Sequence, residues 1–463
     1  MEKIALAEII TTIGGTALKS GAALNLPAIC TDTRVLKPGQ TYLALKGPNF
    51  DGNKFISVAV AKKAAGVISS AKPTARELRQ LDFALIVPDT LLALQQIAAL
   101  YRSKFPIPVI AITGSNGKTT TKQMTGKILS RRYRTLVTPG NFNNQVGLPL
   151  TLLMLNKKYR AAVLELGTSG RGEISNLARI CRPDIGVITC IGHSHLAALK
   201  SLGTVLKAKA ELIENLSAKG TAILNNDDPY LVKYIPKLKT NIITFGLRPG
   251  AMVSASCIKT VSDRQQIKFV LRYKGQKAPV TLNTLGVHNV YNALAAASVA
   301  LALNMSLTEI AAGLRDFRPV TGRMRVVKRG GITVIDDSYN ANPDSVKAAL
   351  ATLDNYSGGR RKIAVLGDML ELGEHSLSYH REIGKIVGHL GVDMLYTIGS
   401  QSRALAQTAR RQGLSGKRVR VFNLEEEEAL SRELKTGLRA GDVVLVKASH
   451  GVHLEKVVEK ITH

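Results

Sequence analysis

Aromatic and acidic residues are both scarce in this sequence. Tryptophan is absent, and aromatic residues make up only 5% of the 463 positions. Proteins that bind single-stranded nucleic acid stack the bases on aromatic side chains, so this shortage argues against that class. Lys and Arg number 63 against 34 Asp and Glu, a formal net charge of +29. Because the basic residues are spread along the whole chain, we expect no nucleic-acid partner. We attribute the charge to a generally basic proteome or to a field that attracts anionic substrates.

Cysteine and long apolar runs are scarce as well. Cys30, Cys181, Cys190 and Cys257 show no C-x-x-C spacing, which argues against a zinc site or a disulfide framework and favours buried free thiols. The longest apolar stretch, residues 293–303, is well short of the roughly 18 residues that a membrane-spanning helix needs. No signal peptide is evident. We therefore expect a soluble, cytoplasmic protein without membrane insertion.

Strand-like and helix-like segments alternate throughout the sequence, which favours an α/β protein with mostly parallel sheets. Proline-containing breaks occur at residues 105–108 and 318–323. We predict three domains: a small N-terminal domain over 1–88, a central domain with an ATPase-like parallel sheet over 89–320, and a Rossmann-like domain over 321–463.

The predicted elements follow from runs of β-branched residues and from helical periodicity. The strands are predicted over 41–45, 83–87, 109–113, 161–166, 185–190, 221–224, 242–245, 332–336, 362–366, 394–398 and 443–446. The helices are predicted over 90–104, 118–130, 289–304, 345–353 and 379–389. Residues 266–273 and 280–285 predict an antiparallel addition to the central sheet.

The segment after the predicted strand 109–113 has the composition of a phosphate-binding loop. It reads Gly114-Ser115-Asn116-Gly117-Lys118-Thr119-Thr120 and leads into a predicted helix. Glycines let backbone N–H groups surround a polyphosphate at a helix N-terminus. Lys118 adds charge for the β- and γ-phosphates, and the Thr119 hydroxyl is placed to bind Mg²⁺. The spacing of the two glycines is shorter than in the common motif, and an ordinary strand-to-helix turn is the alternative. We predict that this segment binds ATP.

Three later residues are candidates for metal binding or catalysis. Glu165 lies near the end of a predicted strand, where a carboxylate would face the phosphate loop and suit Mg²⁺. His195 follows the next predicted strand. At that position a histidine is a metal ligand, a general base or an ordinary hydrogen-bonded loop residue, and these alternatives stay open. An ammonium group cannot bind a cation, so Lys209 contacts phosphate, has been chemically converted, or is an ordinary solvated lysine.

Two further segments bring polar residues to element ends. Asn289 and Asn292 open a predicted helix, where they could hold adenine or ribose or cap the helix. Asp337 and Asn340 follow a predicted strand, and Pro343 suits the first turn of the next helix. Turns rich in Asp and Asn are common, so this second segment is not specific to one function.

Taken in order, these segments resemble the Mur ligase family of peptidoglycan synthesis over essentially the whole chain. The phosphate loop, Glu165, His195, Lys209, the Asn289–Asn292 helix and Arg323 after Gly322 carry the resemblance. Three further segments look specifically like the family branch that adds D-alanyl-D-alanine: GNFNNQVGLPLT at 140–151, DSYNANP at 337–343 and LGDMLELG at 366–373. Residues 31–34 (TDTR), 46–47 and 51–52 resemble the family's UDP-sugar pocket.

The resemblance implies an ATP-driven ligase that joins D-alanyl-D-alanine to UDP-N-acetylmuramoyl-tripeptide through an acyl phosphate. The implied catalytic residues are Lys118, His195, Lys209 and Arg323. One Mg²⁺ would be held by Thr119 and Glu165, and a second by His195 and a carbamylated Lys209.

The resemblance also implies binding residues. For the nucleotide they are Gly114, Ser115, Asn116, Gly117, Lys118, Thr119, Thr120, Asn289, Asn292, Arg323, Asp337 and Asn340. For the UDP substrate they are Asp32, Thr33, Arg34, Lys46, Asn141, Asn143 and Asn144.

The chain departs from the family pattern near the second metal site and near the substrate. His193 stands where proline is usual, Ala197 where a carboxylate is usual, and Gln145 where an acidic residue is frequent. Two other functions stay open: a related amide ligase acting on folate or another amino acid, and an ATP-binding regulatory or nucleic-acid-associated module. We expect a monomer, and the third residue of the tripeptide, diaminopimelate or lysine, stays open.

Overall fold

The computed structural model describes residues 2–21 and 24–463. Over these ranges the chain forms three large mixed sheets and one small two-stranded sheet, each drawn from one stretch of sequence. Helices flank the sheets, so the expected α/β class with three domains is confirmed.

The N-terminal sheet is built from short strands. The elements are α1 (Leu6–Ile13), β1 (Thr16–Lys19), β2 (Ile29–Cys30), β3 (Thr41–Leu43), β4 (Lys46–Gly47), β5 (Phe50–Asp51), α2 (Ile56–Ala61), β6 (Gly66–Ser69), α3 (Ala75–Gln80) and β7 (Phe83–Ile86). Within the described residues the strand order is β1-β7-β6-β3-β2, with β1 antiparallel to β7 and the others parallel. β4 and β5 form a separate antiparallel pair.

The central sheet is the largest. Its first elements are α4 (Thr90–Ser103), β8 (Val109–Thr113), α5 (Lys118–Leu129), β9 (Thr135–Val137), α6 (Gly147–Leu152), β10 (Ala161–Glu165), α7 (Glu173–Cys181), β11 (Ile185–Ile188), α8 (Leu196–Leu199) and α9 (Leu202–Glu214). The remaining ones are β12 (Thr221–Asn225), α10 (Pro229–Tyr234), β13 (Asn241–Gly246), β14 (Val253–Val261), β15 (Gln266–Tyr273), β16 (Gln276–Leu282), α11 (His288–Ala302) and α12 (Leu307–Arg315).

Strand β8 lies inside this sheet, between β11 and β10. The order is β16-β15-β14-β13-β12-β11-β8-β10-β9, parallel except where β15 pairs with β14 and β16. Side chains of β8 alternate between two apolar cores: Val109 and Ala111 join one, and Ile110 and Ile112 join the other. Burial on both faces accounts for its uninterrupted apolar sequence, and it places the loop after Thr113 at the carboxyl edge of the sheet.

The C-terminal sheet has a doubly wound arrangement. Its elements are β17 (Arg325–Arg329), β18 (Ile332–Asp336), α13 (Pro343–Ser357), β19 (Lys362–Gly367), α14 (Ser376–Leu390), β20 (Met394–Ile398), α15 (Ser402–Arg411), β21 (Val419–Phe422), α16 (Glu427–Gly437), β22 (Val443–Lys447) and α17 (Glu455–Thr462). The order is β17-β18-β22-β19-β20-β21, and within the described residues β17 is the only antiparallel strand of this sheet. No helix in the described part of the chain is both long and apolar enough to span a membrane.

The predicted elements match best where the apolar pattern is uninterrupted. The strands at 109–113, 266–273, 332–336 and 394–398 have the predicted bounds. Short strands such as β1, which is exposed at every residue, carry no such pattern and were not predicted. The strand predicted at 280–285 is found at Gln276–Leu282 instead. The prediction began too late because this strand contains Pro279, which an edge strand tolerates.

The cysteines are all free, but they differ in burial. Cys181 is buried, as expected for a structural thiol. Cys257 is exposed on β14, so the expectation of buried thiols is wrong there.

Candidate active site

The loop between β8 and α5 depends on two glycines. Gly114 has φ of +144° and Gly117 has φ of +81°, both in the region that favours glycine. A Cβ on Gly114 would lie 1.8 Å from the Thr189 hydroxyl oxygen, and one on Gly117 would lie 2.2 Å from the Asn292 side-chain oxygen. The loop is therefore packed against its surroundings, and it leads directly into the N-terminus of α5, as a phosphate-binding loop does.

Lys118 begins α5 and folds back over the loop. Its Nζ donates to the Gly114 carbonyl at 2.8 Å. Burial lowers the pKa of the Lys118 ammonium, and the Glu165 carboxylate opposes that effect. A polyphosphate at this position would supply the further negative charge that a partly buried ammonium needs.

Glu165 ends β10 and is almost fully buried. Its Oε1 accepts from the Thr119 hydroxyl at 3.2 Å and from the Asn143 amide at 2.9 Å. Its Oε2 lies 3.1 Å from the Nζ of Lys122, without a well-directed hydrogen bond. Burial alone would raise the pKa of Glu165, but Lys122 and Lys118 outweigh it and hold that pKa below its usual value. The carboxylate is thus ionised beside a hydroxyl oxygen.

The turn after β11 approaches the C-terminal sheet. His195 has φ of +54°, and its Nδ1 lies 2.6 Å from the Glu371 carboxylate. The Ala197 N–H donates to the Glu371 carbonyl at 2.9 Å. Ser115 and Gly192 exchange hydrogen bonds of 3.0 and 2.8 Å, which join this turn to the phosphate loop.

Lys209 lies on α9 and is fully buried. Burial, together with repulsion from Lys118, lowers its pKa to about 7. No carboxylate within salt-bridge distance faces it among the described residues, and no cluster of three or more His, Cys, Asp or Glu side chains suited to a metal occurs in that part of the chain. Since an ammonium group cannot bind a cation, a charged Lys209 cannot be the metal ligand that the resemblance implies.

Two predicted residues near the start of the C-terminal sheet line the same cavity as the phosphate loop. The Arg323 guanidinium stacks 4.0 Å from the centroid of the Tyr339 ring, and its Nη2 lies 3.4 Å from the Thr119 hydroxyl. Asp337 accepts from the Met324 N–H at 3.2 Å. Both predicted residues thus come from beyond the central domain, and Arg323 contacts its nucleotide loop.

Lys447, which the sequence analysis did not single out, organises this region from the end of β22. It is buried, forms an ion pair with Asp337, and donates to the Asn340 carbonyl at 2.9 Å. The signal in the sequence that could have identified Lys447 is its position at the end of a predicted strand.

Contacts between the central and C-terminal sheets include two further sets that the sequence did not indicate. The side chains of Asn116 and Asn342 exchange hydrogen bonds of 3.2 and 2.9 Å. The His193 N–H donates to Asp344 at 2.8 Å, and its ring lies 3.1 Å from the same carboxylate and 5.0 Å from the Tyr379 ring centroid. His193, one of the departures from the family pattern, therefore lies at this interface.

Asn289 and Asn292 are held by protein contacts. Asn289 donates to the Leu285 carbonyl at 2.7 Å and accepts from Asn292 at 2.9 Å. Asn292 accepts from the Thr121 hydroxyl at 3.3 Å. The neighbouring His288 is half-buried, and its desolvation lowers its pKa to about 4. The pair joins the start of α11 to the phosphate-loop helix.

A cavity of about 900 Å³ lies between the central and C-terminal sheets. The predicted site residues that line it are Ser115, Asn116, Gly117, Lys118, Thr119, Thr120, Asn143, Asn144, Glu165, His195, Asn289, Asn292, Arg323, Asp337 and Asn340. Those outside its lining are Gly114, Asn141, Lys209, Asp32, Thr33, Arg34 and Lys46.

The predicted UDP-binding residues of the N-terminal domain lie apart from this cavity, in partly exposed segments that follow β2 and begin β4. Arg34 and Asp32 form an ion pair of 2.7 Å, and this contact lowers the pKa of Asp32 to about 2. Lys62 donates to the Thr33 carbonyl at 2.7 Å. Lys46 starts β4, and its N–H donates to Thr90 at 3.2 Å.

Comparison with known proteins places this geometry in context. The family model described as "Mur ligase middle domain" matches residues 112–300, and "Mur ligase, glutamate ligase domain" matches residues 322–450. The UDP-N-acetylmuramoyl-tripeptide–D-alanyl-D-alanine ligase of Bacillus subtilis is 36% identical over 94% of this chain and 92% of its own length.

Solved structures are similar over the same extent. MurF from Acinetobacter baumannii superposes with a TM-score of 0.90 and 32% identity, covering 100% of this chain and 99% of that one. MurF from Thermotoga maritima in complex with ADP gives a TM-score of 0.84 and 27% identity, covering 94% and 97%.

Proposed function

The chain belongs to the Mur ligase family, and from this premise we propose that it is the ATP-dependent ligase that joins D-alanyl-D-alanine to UDP-N-acetylmuramoyl-tripeptide in peptidoglycan precursor synthesis. Relatives with that activity in their names align over nearly the whole chain. The related structure that contains ADP supports ATP as the nucleotide.

The cavity between the central and C-terminal sheets is the observation that carries the proposal. It brings the phosphate loop and Glu165 from one sheet together with Arg323, Asp337 and Asn340 from the other. A kinase-type loop alone would not need residues from a second domain. A ligation needs them, because two substrates and a phosphoryl group must meet in one place away from water.

In the proposed reaction, the terminal carboxylate of the tripeptide attacks the γ-phosphoryl group, which gives an acyl phosphate and ADP. The amine of D-alanyl-D-alanine then attacks the acyl carbon, and phosphate leaves. Phosphoryl transfer is promoted mainly by positioning and charge neutralisation. Lys118 and Arg323 are placed to stabilise the charge on the transferring group. Closure of the two domains around the cavity would keep water from the acyl phosphate.

Thr119 and Glu165 fit one Mg²⁺. A hydroxyl oxygen and an ionised carboxylate oxygen lie 3.2 Å apart at the phosphate loop, and oxygen donors of this kind suit that ion. When bound, Mg²⁺ neutralises charge on the phosphates. The protein's part is to hold the two oxygens side by side, with Asn143 and Lys122 fixing the carboxylate.

We infer that a second Mg²⁺ uses His195 and Lys209 only after Lys209 is carbamylated. A buried lysine without a carboxylate partner and with a pKa of about 7 exists largely as a neutral amine above that pH. A neutral amine can add CO₂, which turns the side chain into an anionic oxygen donor. This modification would also supply the negative charge that the site lacks.

The substrates are assigned to two regions. Asp32, Thr33, Arg34 and Lys46 would hold the UDP end, and the loop with Asn141, Asn143 and Asn144 would guide the peptide to the cavity. The proposed domain division is 1–88, 89–320 and 321–463. We also propose a monomer in the cytoplasm.

Phosphate release from Mg²⁺-ATP tests the function. UDP-N-acetylmuramoyl-tripeptide and D-alanyl-D-alanine are supplied together, and each is then omitted. We expect turnover only with both. Phosphate release that is indifferent to either substrate would refute the assignment, and other amines in place of D-alanyl-D-alanine would reveal a related ligase.

A further inference from the structure

Lys122 is a buried charged residue that lies outside the phosphate-loop motif. It lies one helical turn after Lys118 on α5, and its side chain has no solvent exposure. A buried ammonium is costly unless charged and polar partners surround it. Its two partners, Glu165 and Gly140, come from different parts of the central domain.

Lys122 contacts both the nucleotide side and the peptide side of the site. Its Nζ lies 3.1 Å from the Oε2 of Glu165 and donates to the Gly140 carbonyl at 3.0 Å. Because Oε2 of Glu165 lies against the Lys122 ammonium, Oε1 is the oxygen that accepts hydrogen bonds from Thr119 and Asn143. The carboxylate is held in one orientation by charge on one side and by hydrogen bonds on the other.

Gly140 begins the segment 140–147, which we call the asparagine loop. Asn143 in this loop accepts from the Gly167 N–H at 2.8 Å and donates to Glu165. Asn144 accepts from the N–H groups of Val146 and Gly147 at 3.1 and 2.8 Å. The loop is therefore fastened internally at Asn144 and to the nucleotide site at two points, Gly140 and Asn143.

We propose that Lys122 is a positioning residue that couples Glu165 to the asparagine loop. Its ion pair with Glu165 keeps Oε1 of that carboxylate directed toward Thr119. Its hydrogen bond to the Gly140 carbonyl keeps the asparagine loop next to the same carboxylate, so that the loop binds the peptide beside the phosphates. This proposal rests on the proposed function where it assigns peptide binding to the loop. A residue that only balances the charge of Glu165 would leave the loop unchanged.

The test compares Lys122→Met, which keeps the length of the side chain, with Lys127→Met, an exposed lysine on the same helix. Three quantities are measured: hydrogen exchange of residues 138–147, the Kd of ATP without Mg²⁺, and the Kd of UDP-N-acetylmuramoyl-tripeptide. For Lys122→Met we expect faster exchange in the loop, binding of the tripeptide weaker by about tenfold or more, and metal-free ATP binding within about twofold of wild type. Lys127→Met should match wild type.

Two results would overturn the proposal. One is unchanged loop exchange and tripeptide affinity in Lys122→Met. The other is an equal loss of affinity for metal-free ATP and for the tripeptide, since that would indicate general structural damage.

A measurement on the wild-type protein keeps the proposal falsifiable if the variant does not fold. Because Glu165 and the loop are coupled, Mg²⁺ added to the ATP complex should slow exchange of residues 138–147 relative to ATP with chelator. No difference would overturn the proposal. If the wild-type protein fails to bind the tripeptide, the proposed function fails, and the exchange measurement still tests the coupling.

Discussion

Glu165 and Lys209 are both buried ionisable residues close to the phosphate loop, yet their surroundings are opposite. Glu165 contacts Thr119, Asn143 and Lys122. Lys209 is desolvated, is repelled by Lys118, and has no carboxylate within salt-bridge distance in the described part of the chain. Glu165 can bind a cation without modification, because its carboxylate is ionised and lies beside the Thr119 hydroxyl. Lys209 acquires that ability only through a change in its chemistry.

The largest effect on kcat is expected when Glu165 loses its negative charge. Glu165→Gln keeps the side-chain shape but removes the anion that offsets Lys122 and Lys118. We expect kcat to fall by about 10²–10³-fold or more, while ATP binding without Mg²⁺ is retained. Phosphate release and equilibrium nucleotide binding measure the two quantities. Activity near that of the wild type would show that this carboxylate is not a metal ligand.

Lys209→Ala tests the other side of the comparison. We expect kcat to fall by about 10²-fold or more, because removing even an outer partner of a metal site costs up to about 100-fold and Lys209 is proposed as a ligand itself. Activity should recover in part when a short carboxylate such as acetate is added. Lys207→Ala, on the exposed face of the same helix, is the control. Full activity of the Lys209 variant without added carboxylate would remove this residue from the mechanism.

The carbamate itself should depend on pH. Burial places the pKa of Lys209 at about 7, below the ordinary value for lysine, so the amine is neutral above that pH and charged below it. Since only the neutral amine adds CO₂, a ¹³C NMR carbamate signal from ¹³CO₂ should be present at pH 8 and greatly reduced at pH 6. A signal that persists in Lys209→Ala would come from another amine.

A smaller effect is expected at the interface that orients the His195 turn. Asp344→Ala removes the acceptor for the His193 N–H and its ring. Losing such hydrogen bonds typically lowers affinity by about tenfold, so kcat/KM for ATP should fall by about that factor. The fold itself should persist, because these contacts lie between the sheets. Unchanged kcat/KM would show that closure does not depend on this contact.

The smallest effect is expected from a residue outside the lining of the cavity. Arg34 and Asp32 pair on the exposed surface of the N-terminal sheet, and exposed pairs contribute little to stability. Arg34→Ala should leave Tm and the KM for ATP unchanged and raise only the KM for the UDP substrate. A change in the KM for ATP would mean that the two regions are more closely linked than their separation suggests.

The local parts of this site could be predicted from sequence. The glycines at 114 and 117, Lys118 and Thr119 act within one turn of chain, so their spacing is sufficient. The contacts of Asn342, Asp344 and Lys447 could not be found, because they depend on how two sheets meet. Lys122 could have been noticed from the sequence, because it lies four residues after Lys118 on the same helix, where the neighbouring positions are buried.

The fate of the substrate oxygen tests the central claim most directly. UDP-N-acetylmuramoyl-tripeptide labelled with ¹⁸O in its terminal carboxylate is incubated with Mg²⁺-ATP and D-alanyl-D-alanine, and the released phosphate is analysed by mass spectrometry. An acyl phosphate requires that one labelled oxygen pass to the phosphate for every amide formed. Unlabelled phosphate, formed while the amide product accumulates, would contradict the account.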